Sequence, residues 1–147
     1  MNSQLITNFR QYHAGNGYQN NKTTEQAPSY KDALNEIKNG KKIGHWSWYI
    51  MPTNKGSRAH QNKFKLSNNQ NLINYIHNKI LRSHYIEFME TVYQQLTNGI
   101  DPEILLMSKV DVRKAYESAV LFKRVSTKIG DVDIEKSATQ VVLELQP

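Results

Sequence analysis

Several side chains that could bind or act on a small molecule occur in one short stretch, from Gly40 to Pro52, which holds both tryptophans of the chain. Its histidine, His45, carries an imidazole that could act as an acid or a base near neutral pH. Lysines precede this histidine and tryptophans follow it: Lys41, Lys42, Trp46 and Trp48. Positive charge, an aromatic wall and one titratable group predict a pocket for a phosphorylated or nucleotide-like molecule such as ADP-ribose.

A second polar group lies between Asp111 and Phe122. We assign Asp111 the role of orienting a partner of His45 in acid or base catalysis. Lys114, together with the neighbouring Arg113, would supply further positive charge to the ligand. Ser118 is also a candidate ligand-binding residue, although a serine inside a helix commonly bonds back to a helix carbonyl. The predicted site therefore combines two distant parts of the chain.

The same residues also permit a purely structural interpretation. In that interpretation the indoles of Trp46 and Trp48 fill the core, and His45 donates to a backbone carbonyl. The polar side chains of the second group would then form a helix cap and a pair spaced three residues apart. Burying an unpaired polar group costs several kcal/mol, so both interpretations require partners for any of these groups that is buried.

The sequence indicates no metal site and identifies no cofactor. His77 and His84 are seven residues apart, and neither they nor His60 stand beside a carboxylate in a known metal-binding spacing. The chain has no cysteine, which excludes a disulfide framework, a thiolate nucleophile and cysteine-bound zinc.

The formal net charge of +6 would attract nucleic acid or another polyanion. The lysines are scattered, however, which favours an ordinary solvated surface. A nucleic-acid-binding protein should show a continuous basic face with exposed aromatic rings, whereas a protein-interaction module should show a large exposed apolar patch. Both functions, without catalysis, remain alternatives to small-molecule binding.

The length of 147 residues predicts a single domain, 1–147, with a flexible loop or insertion at about 14–28, where glycine, asparagine and threonine replace apolar residues. The first residues lack a basic segment followed by an apolar one, and no apolar run reaches the ~20 residues that span a bilayer. We therefore expect a cytoplasmic protein without a membrane partner.

Apolar residues recur at helical spacing along most of the chain, and strand-like alternation is absent. The pattern predicts an all-α, multihelical domain of about six or seven helices. Predicted N-caps are Ser29, Ser67, Asp101 and Asp111. The apolar spacing from Leu72 to Leu96 fits two helices, or one long helix with a break near Lys79.

The segment from His45 to Met51 lies between Gly44 and Pro52 and is nearly all apolar or aromatic. Its length suits a buried strand or a short buried helix equally well, and periodicity does not distinguish them. We therefore treat it as a short buried central element of undecided type.

The run from Tyr30 to Pro52 resembles the hallmark of the domain of unknown function 1810 family, small bacterial proteins also grouped as a mycobacterial hypothetical-protein-like superfamily. That hallmark has a tyrosine, Ala-Leu, Glu-Leu, Gly-Arg-Lys and then His-Trp-Met-Trp-Phe-Ile-Phe-Pro-Gln. The block from Asp111 to Phe122 is similar to the family's Asp-x-x-Lys-Leu-x-Ser-x-x-Leu-Phe. The resemblance implies a multihelical fold in which His45 to Met51 forms a short buried central helix, and it implies no chemistry.

The chain departs from the family pattern at a few polar positions. Thr53 stands where the family has a glutamine, and Lys55-Gly56-Ser57 replaces its Gly-Leu-Gly. His13 takes the place of a glutamine in the first helix. These departures leave the expected fold unchanged and affect the edges of any polar site that the family shares.

Overall fold

The computed structural model describes residues 3–19, 25–56 and 59–147. In chain order, its helices are α1 (Ser3–His13), α2 (Tyr30–Lys38), α3 (Ser47–Ile50), α4 (Ala59–Asn62), α5 (Asn69–His77), α6 (Lys79–Thr97), α7 (Pro102–Leu105), α8 (Lys109–Ile129) and α9 (Val132–Leu145). Six of these helices have nine or more residues, and α3, α4 and α7 have four each. The prediction of an all-α domain is confirmed.

Two helices begin at the predicted caps. The Ser29 hydroxyl accepts from the backbone N–H of Asp32 at 3.0 Å, and the Asp32 carboxylate accepts from the N–H of Ser29 at 2.9 Å. This reciprocal capping box fixes the start of α2. Asp101 caps α7 through the N–H of Glu103 at 2.8 Å, with Pro102 in the first turn.

Two other caps lie at different residues from those predicted. Asn68, and not Ser67, caps α5 by accepting from the N–H of Asn71. Ser108, and not Asp111, caps α8, and the N–H that its hydroxyl accepts from is that of Asp111 itself. Because Asp111 lies in the first turn of α8 and does not cap it, its carboxylate is available for side chains elsewhere in the fold.

The apolar stretch after Leu72 forms two helices, with the break at Asn78. The side chain of Asn78 accepts from the N–H of Leu81 and caps α6, directly after α5 has ended at His77. The separation of the two helices at Asn78 lets α6 pack against α9, which also packs against α8, and these are the two largest helix–helix contacts of the described structure.

The central segment after Gly44 forms a helix and not a strand. Only Ser47–Ile50 is helical, and Pro52 prevents a longer helix because it has no N–H to donate. Helix α3 contacts α1 on one side and α8 on the other, and both Tyr49 and Ile50 are buried. The short buried central helix implied by the family resemblance is therefore present.

Residues 14–28 lie only partly within the described ranges, since the structure leaves out residues 20–24. On either side of that gap, Tyr18 and Gln26 form an isolated antiparallel bridge. The flexibility predicted for this loop is not tested. None of the described helices is long and apolar enough to cross a bilayer.

Candidate functional site

The two predicted groups of polar residues meet through a buried ion pair. The ammonium of Lys42, whose side chain is 1% exposed, lies 3.4 Å from Asp111 Oδ2 and donates to the carbonyl of Gly44 at 2.6 Å. Asp111 Oδ1 accepts from the Ser47 hydroxyl at 2.7 Å, and Asp111 Oδ2 from that of Ser108 at 3.2 Å. Burial lowers the pKa of Lys42, and the attraction of Asp111 opposes this shift. We call these side chains, Lys42, Ser47, Ser108 and Asp111, the ion-pair network.

Trp46 is fully buried beside this network and is held by a carboxylate of α2. Its indole N–H donates to Glu36 Oε1 at 2.9 Å, and the same oxygen accepts from the backbone N–H groups of Ile43 and Gly44. The Trp46 ring also packs edge-on against Phe88. Trp46 thus stabilises the approach to α3 from inside the core, as the structural interpretation of the sequence predicts.

Ser118 also lies in the core. Its side chain is fully buried, and its hydroxyl is 3.1 Å from that of Tyr85, whose ring stacks on Phe122. Ser118 and Trp46 are thus enclosed, so a ligand could reach them only if the core opened, and their assignment as ligand-binding residues stays a prediction.

The accessible part of the predicted site is small. Trp48 and Lys114 are both half-buried, and the Lys114 ammonium lies 3.6 Å from the centre of the Trp48 ring. Burial lowers the pKa of Lys114. His45 and Lys41 are both exposed, and the pocket that His45 is predicted to face stays a prediction. The predicted site residues thus do not form one site. Lys42 and Asp111 belong to the buried ion-pair network, whereas Trp48 and Lys114 form a pair at the surface.

A cavity that the sequence analysis did not identify opens at the C-terminal end of α1. Its volume is about 420 Å³, and α1, α6 and the turn after α1 supply its lining: Thr7, Arg10, Gln11, His13, Ala14, Asn16, Ile80 and His84. Arg10 is exposed, and none of the ion pairs among the described residues involves its guanidinium. We call this cavity at the end of α1 the histidine cavity.

The two histidines of this cavity form a hydrogen-bonded pair. Nδ1 of His13 lies 2.9 Å from Nδ1 of His84, and Nε2 of His13 lies 2.7 Å from the carbonyl oxygen of Tyr49 in α3. The ring of Tyr30 stacks on His84, with 3.7 Å between the centroids, and the Tyr30 hydroxyl donates to Glu87 at 2.6 Å. Both imidazoles are thus fixed in orientation.

The environment of the pair favours neutral imidazoles. Burial lowers the pKa of His13 from its ordinary value of 6.5 to about 3, against the opposing effect of its hydrogen bond to Tyr49. Burial also lowers the pKa of His84, although the nearby carboxylate of Glu87 acts in the opposite direction. Histidines whose pKa is lowered by burial and that line a cavity are candidates for a functional site.

The family model described as protein of unknown function (DUF1810) matches residues 20–138, which include α3 and the ion-pair network. The chain belongs to the DUF1810 family. The contact between Ser47 and Asp111 therefore joins the two sequence blocks in which the family resemblance was found.

A solved structure with a similar fold is the conserved hypothetical protein Rv1873 from Mycobacterium tuberculosis. It superimposes with a TM-score of 0.67 at 22% sequence identity, over 78% of this DUF1810 chain and 77% of the mycobacterial chain. At this identity the likeness concerns the fold alone. No curated protein matches the chain.

One residue of the histidine cavity in this DUF1810 protein, His13, could have been recognised from the sequence. His13 follows Phe9 by four residues and Tyr12 by one, so it continues the apolar face of α1 where a polar residue needs a partner. Nothing in the sequence connects it with His84, which lies on another helix 71 positions away. Within the described ranges, no three His, Cys, Asp or Glu side chains are grouped to hold a metal ion.

Proposed function

We propose that this DUF1810 protein binds a small phosphorylated or nucleotide-like molecule in the histidine cavity. The observation that carries the proposal is the convergence of the Arg10 guanidinium and the His13 and His84 imidazoles on one concave surface. Concave sites with a few convergent polar groups and shifted pKa values are the usual location of ligand binding. The volume of about 420 Å³ lies within the range of known small-molecule sites.

The lining favours an anion that carries several acceptor oxygens. A guanidinium presents its N–H donors in a planar fork that matches phosphate oxygens, and Arg10 has no carboxylate partner within the described structure. The amides of Gln11 and Asn16 can supply further donors. A bound phosphate group would thus supply the negative charge that the Arg10 guanidinium lacks as a partner.

The surface pair of Trp48 and Lys114 supports ligand binding less well. The Lys114 ammonium already covers the face of the ring on which a nucleobase would stack. Trp46 and Ser118, which would complete that site, are fully buried. The pair remains useful as an independent location to test, because it belongs to the site that the sequence predicts.

The test is a thermal-shift screen followed by calorimetric titration with AMP, ADP-ribose, NAD and glucose 6-phosphate. A ligand that binds the native state raises its stability in proportion to the ligand excess. We expect Arg10→Gln to weaken binding of the best probe at least about tenfold, because a hydrogen bond between charged groups is lost. Arg124→Gln removes another exposed arginine and should bind like the wild type.

Three results would contradict the proposal. If Lys114→Gln abolishes binding and Arg10→Gln does not, the ligand binds at Trp48 and Lys114. If no probe binds and the protein instead retains RNA or DNA in a salt-sensitive manner, the protein is a nucleic-acid-binding protein. If neither the probes nor nucleic acid bind, a protein-interaction module becomes the better description.

A further inference from the structure

The hydrogen bonds of the histidine pair determine which nitrogen of each ring carries a proton. The carbonyl of Tyr49 can only accept, so the 2.7 Å contact requires a proton on His13 Nε2. A neutral imidazole has one N–H, and the Nδ1 atom of His13 is therefore an acceptor. The proton between the two Nδ1 atoms, 2.9 Å apart, must then belong to His84.

This arrangement leaves Nε2 of His84 as the one basic nitrogen of the pair that is not used within it. A proton added to this atom leaves both hydrogen bonds of the pair intact, since Nδ1 of His84 still donates to His13. A proton added to His13 would instead make two N–H groups face each other across the 2.9 Å contact. Protonation of the pair is therefore directed to His84 Nε2.

We propose that His84 is the acid–base residue of the histidine cavity, exchanging a proton with a bound phosphate group through Nε2, and that His13 is its positioning residue. The proposal rests on the proposed function for the presence of a phosphorylated ligand. In the exchange, the O–H bond of a phosphate monoanion breaks and an N–H bond forms at His84. The products are a phosphate dianion and an imidazolium, so charge and atoms balance.

The groups around His84 allow this exchange near neutral pH. A phosphate monoester loses its second proton with a pKa of about 6, close to that of an imidazole. From α1, Arg10 opposes a positive charge on His84, and from α6, Glu87 favours one. From α2, the neutral Tyr30 stacks on the ring and holds it in plane with His13. A bound dianion would add the charge that favours the imidazolium.

The first test is a measurement of the imidazole tautomers by ¹⁵N NMR at pH 8 without ligand. We expect the proton on Nδ1 of His84 and on Nε2 of His13. His13→Gln is a conservative rescue variant, because its amide can donate to Tyr49 and accept from His84. His13→Leu can do neither and should release the tautomer of His84. A wild-type His84 that carries its proton on Nε2 would overturn the proposal.

The second test is the response to AMP at pH 7. We expect AMP to raise the pKa of His84 and to place a proton on Nε2 while the proton on Nδ1 stays. His84→Gln should weaken AMP binding at least about tenfold at pH 6 and remove the increase in affinity between pH 8 and pH 6. AMP that binds without changing His84 would contradict this role and leave the proposed function intact. The expected tautomer without binding of AMP or any other probe would instead contradict the proposed function.

Discussion

Asp111→Ala is expected to lower the free energy of unfolding by about 3–5 kcal/mol, the range measured when one partner of a buried ion pair is removed. The Lys42 ammonium would stay in a site where its side chain is 1% exposed, and among the described residues the carbonyl of Gly44 would be its remaining acceptor. The hydroxyl of Ser47 would also lose its 2.7 Å acceptor inside the core. The loss of unfolding free energy is measured by urea denaturation, and we expect the m-value of the variant to equal that of the wild type.

The matched control is Asp133→Ala, which removes a carboxylate that also pairs with a cation but is 69% exposed. Exposed pairs contribute about 0–1 kcal/mol, so this variant should unfold close to the wild type. The double variant Lys42→Met with Asp111→Leu should recover much of the loss, because no buried charge is left without a partner. Equal effects of Asp111→Ala and Asp133→Ala would refute the stabilising role of the ion-pair network.

Acidification from pH 6.5 to pH 4.5 is expected to reduce the free energy of unfolding by about 2.3 kcal/mol through His13. The folded protein keeps His13 neutral down to a pKa of about 3, whereas in the unfolded chain the pKa returns to 6.5. The unfolded state therefore binds more protons throughout this window, so stability falls as the pH falls. The contribution is fully present above pH 6.5 and decreases progressively down to about pH 3.

Urea denaturation of the wild type and of His13→Gln at several pH values between 4.5 and 7.5 checks this expectation. The variant has no group at position 13 that titrates in this range, and its stability should depend less on pH by the stated amount. His77→Gln serves as the control, because His77 is an exposed histidine at the end of α5. An identical pH dependence of the wild type and His13→Gln would show that burial of His13 does not lower its pKa.

The helices could be predicted from the sequence because apolar spacing reports directly which face is buried. Local caps were harder to assign, as Asp111 illustrates. A serine and an aspartate three residues apart can each begin a helix, and only the partners Lys42 and Ser47 in the folded chain determine that Asp111 lies inside α8. The type of the central element, undecided by periodicity, follows from the contacts of α3 with α1 and α8.

The candidate site was less predictable than the fold. Residue types in the tryptophan stretch indicated correctly that polar groups need partners there, but not that the partners would enclose Trp46 completely. The histidine pair depends on two helices that meet with their side chains in register. This contact arises from tertiary packing, and the spacing of residues in the sequence does not predict it.

The brevity of α3 has a consequence for both parts of the molecule. In a long helix the carbonyl of Tyr49 would accept from an N–H four residues later, but α3 ends at Ile50 and Pro52 follows. That carbonyl can therefore face α1 and set the proton position of His13. The short helix therefore couples the core to the cavity: loss of the contact between the Tyr49 carbonyl and His13 would remove the constraint that fixes the tautomers of His13 and His84.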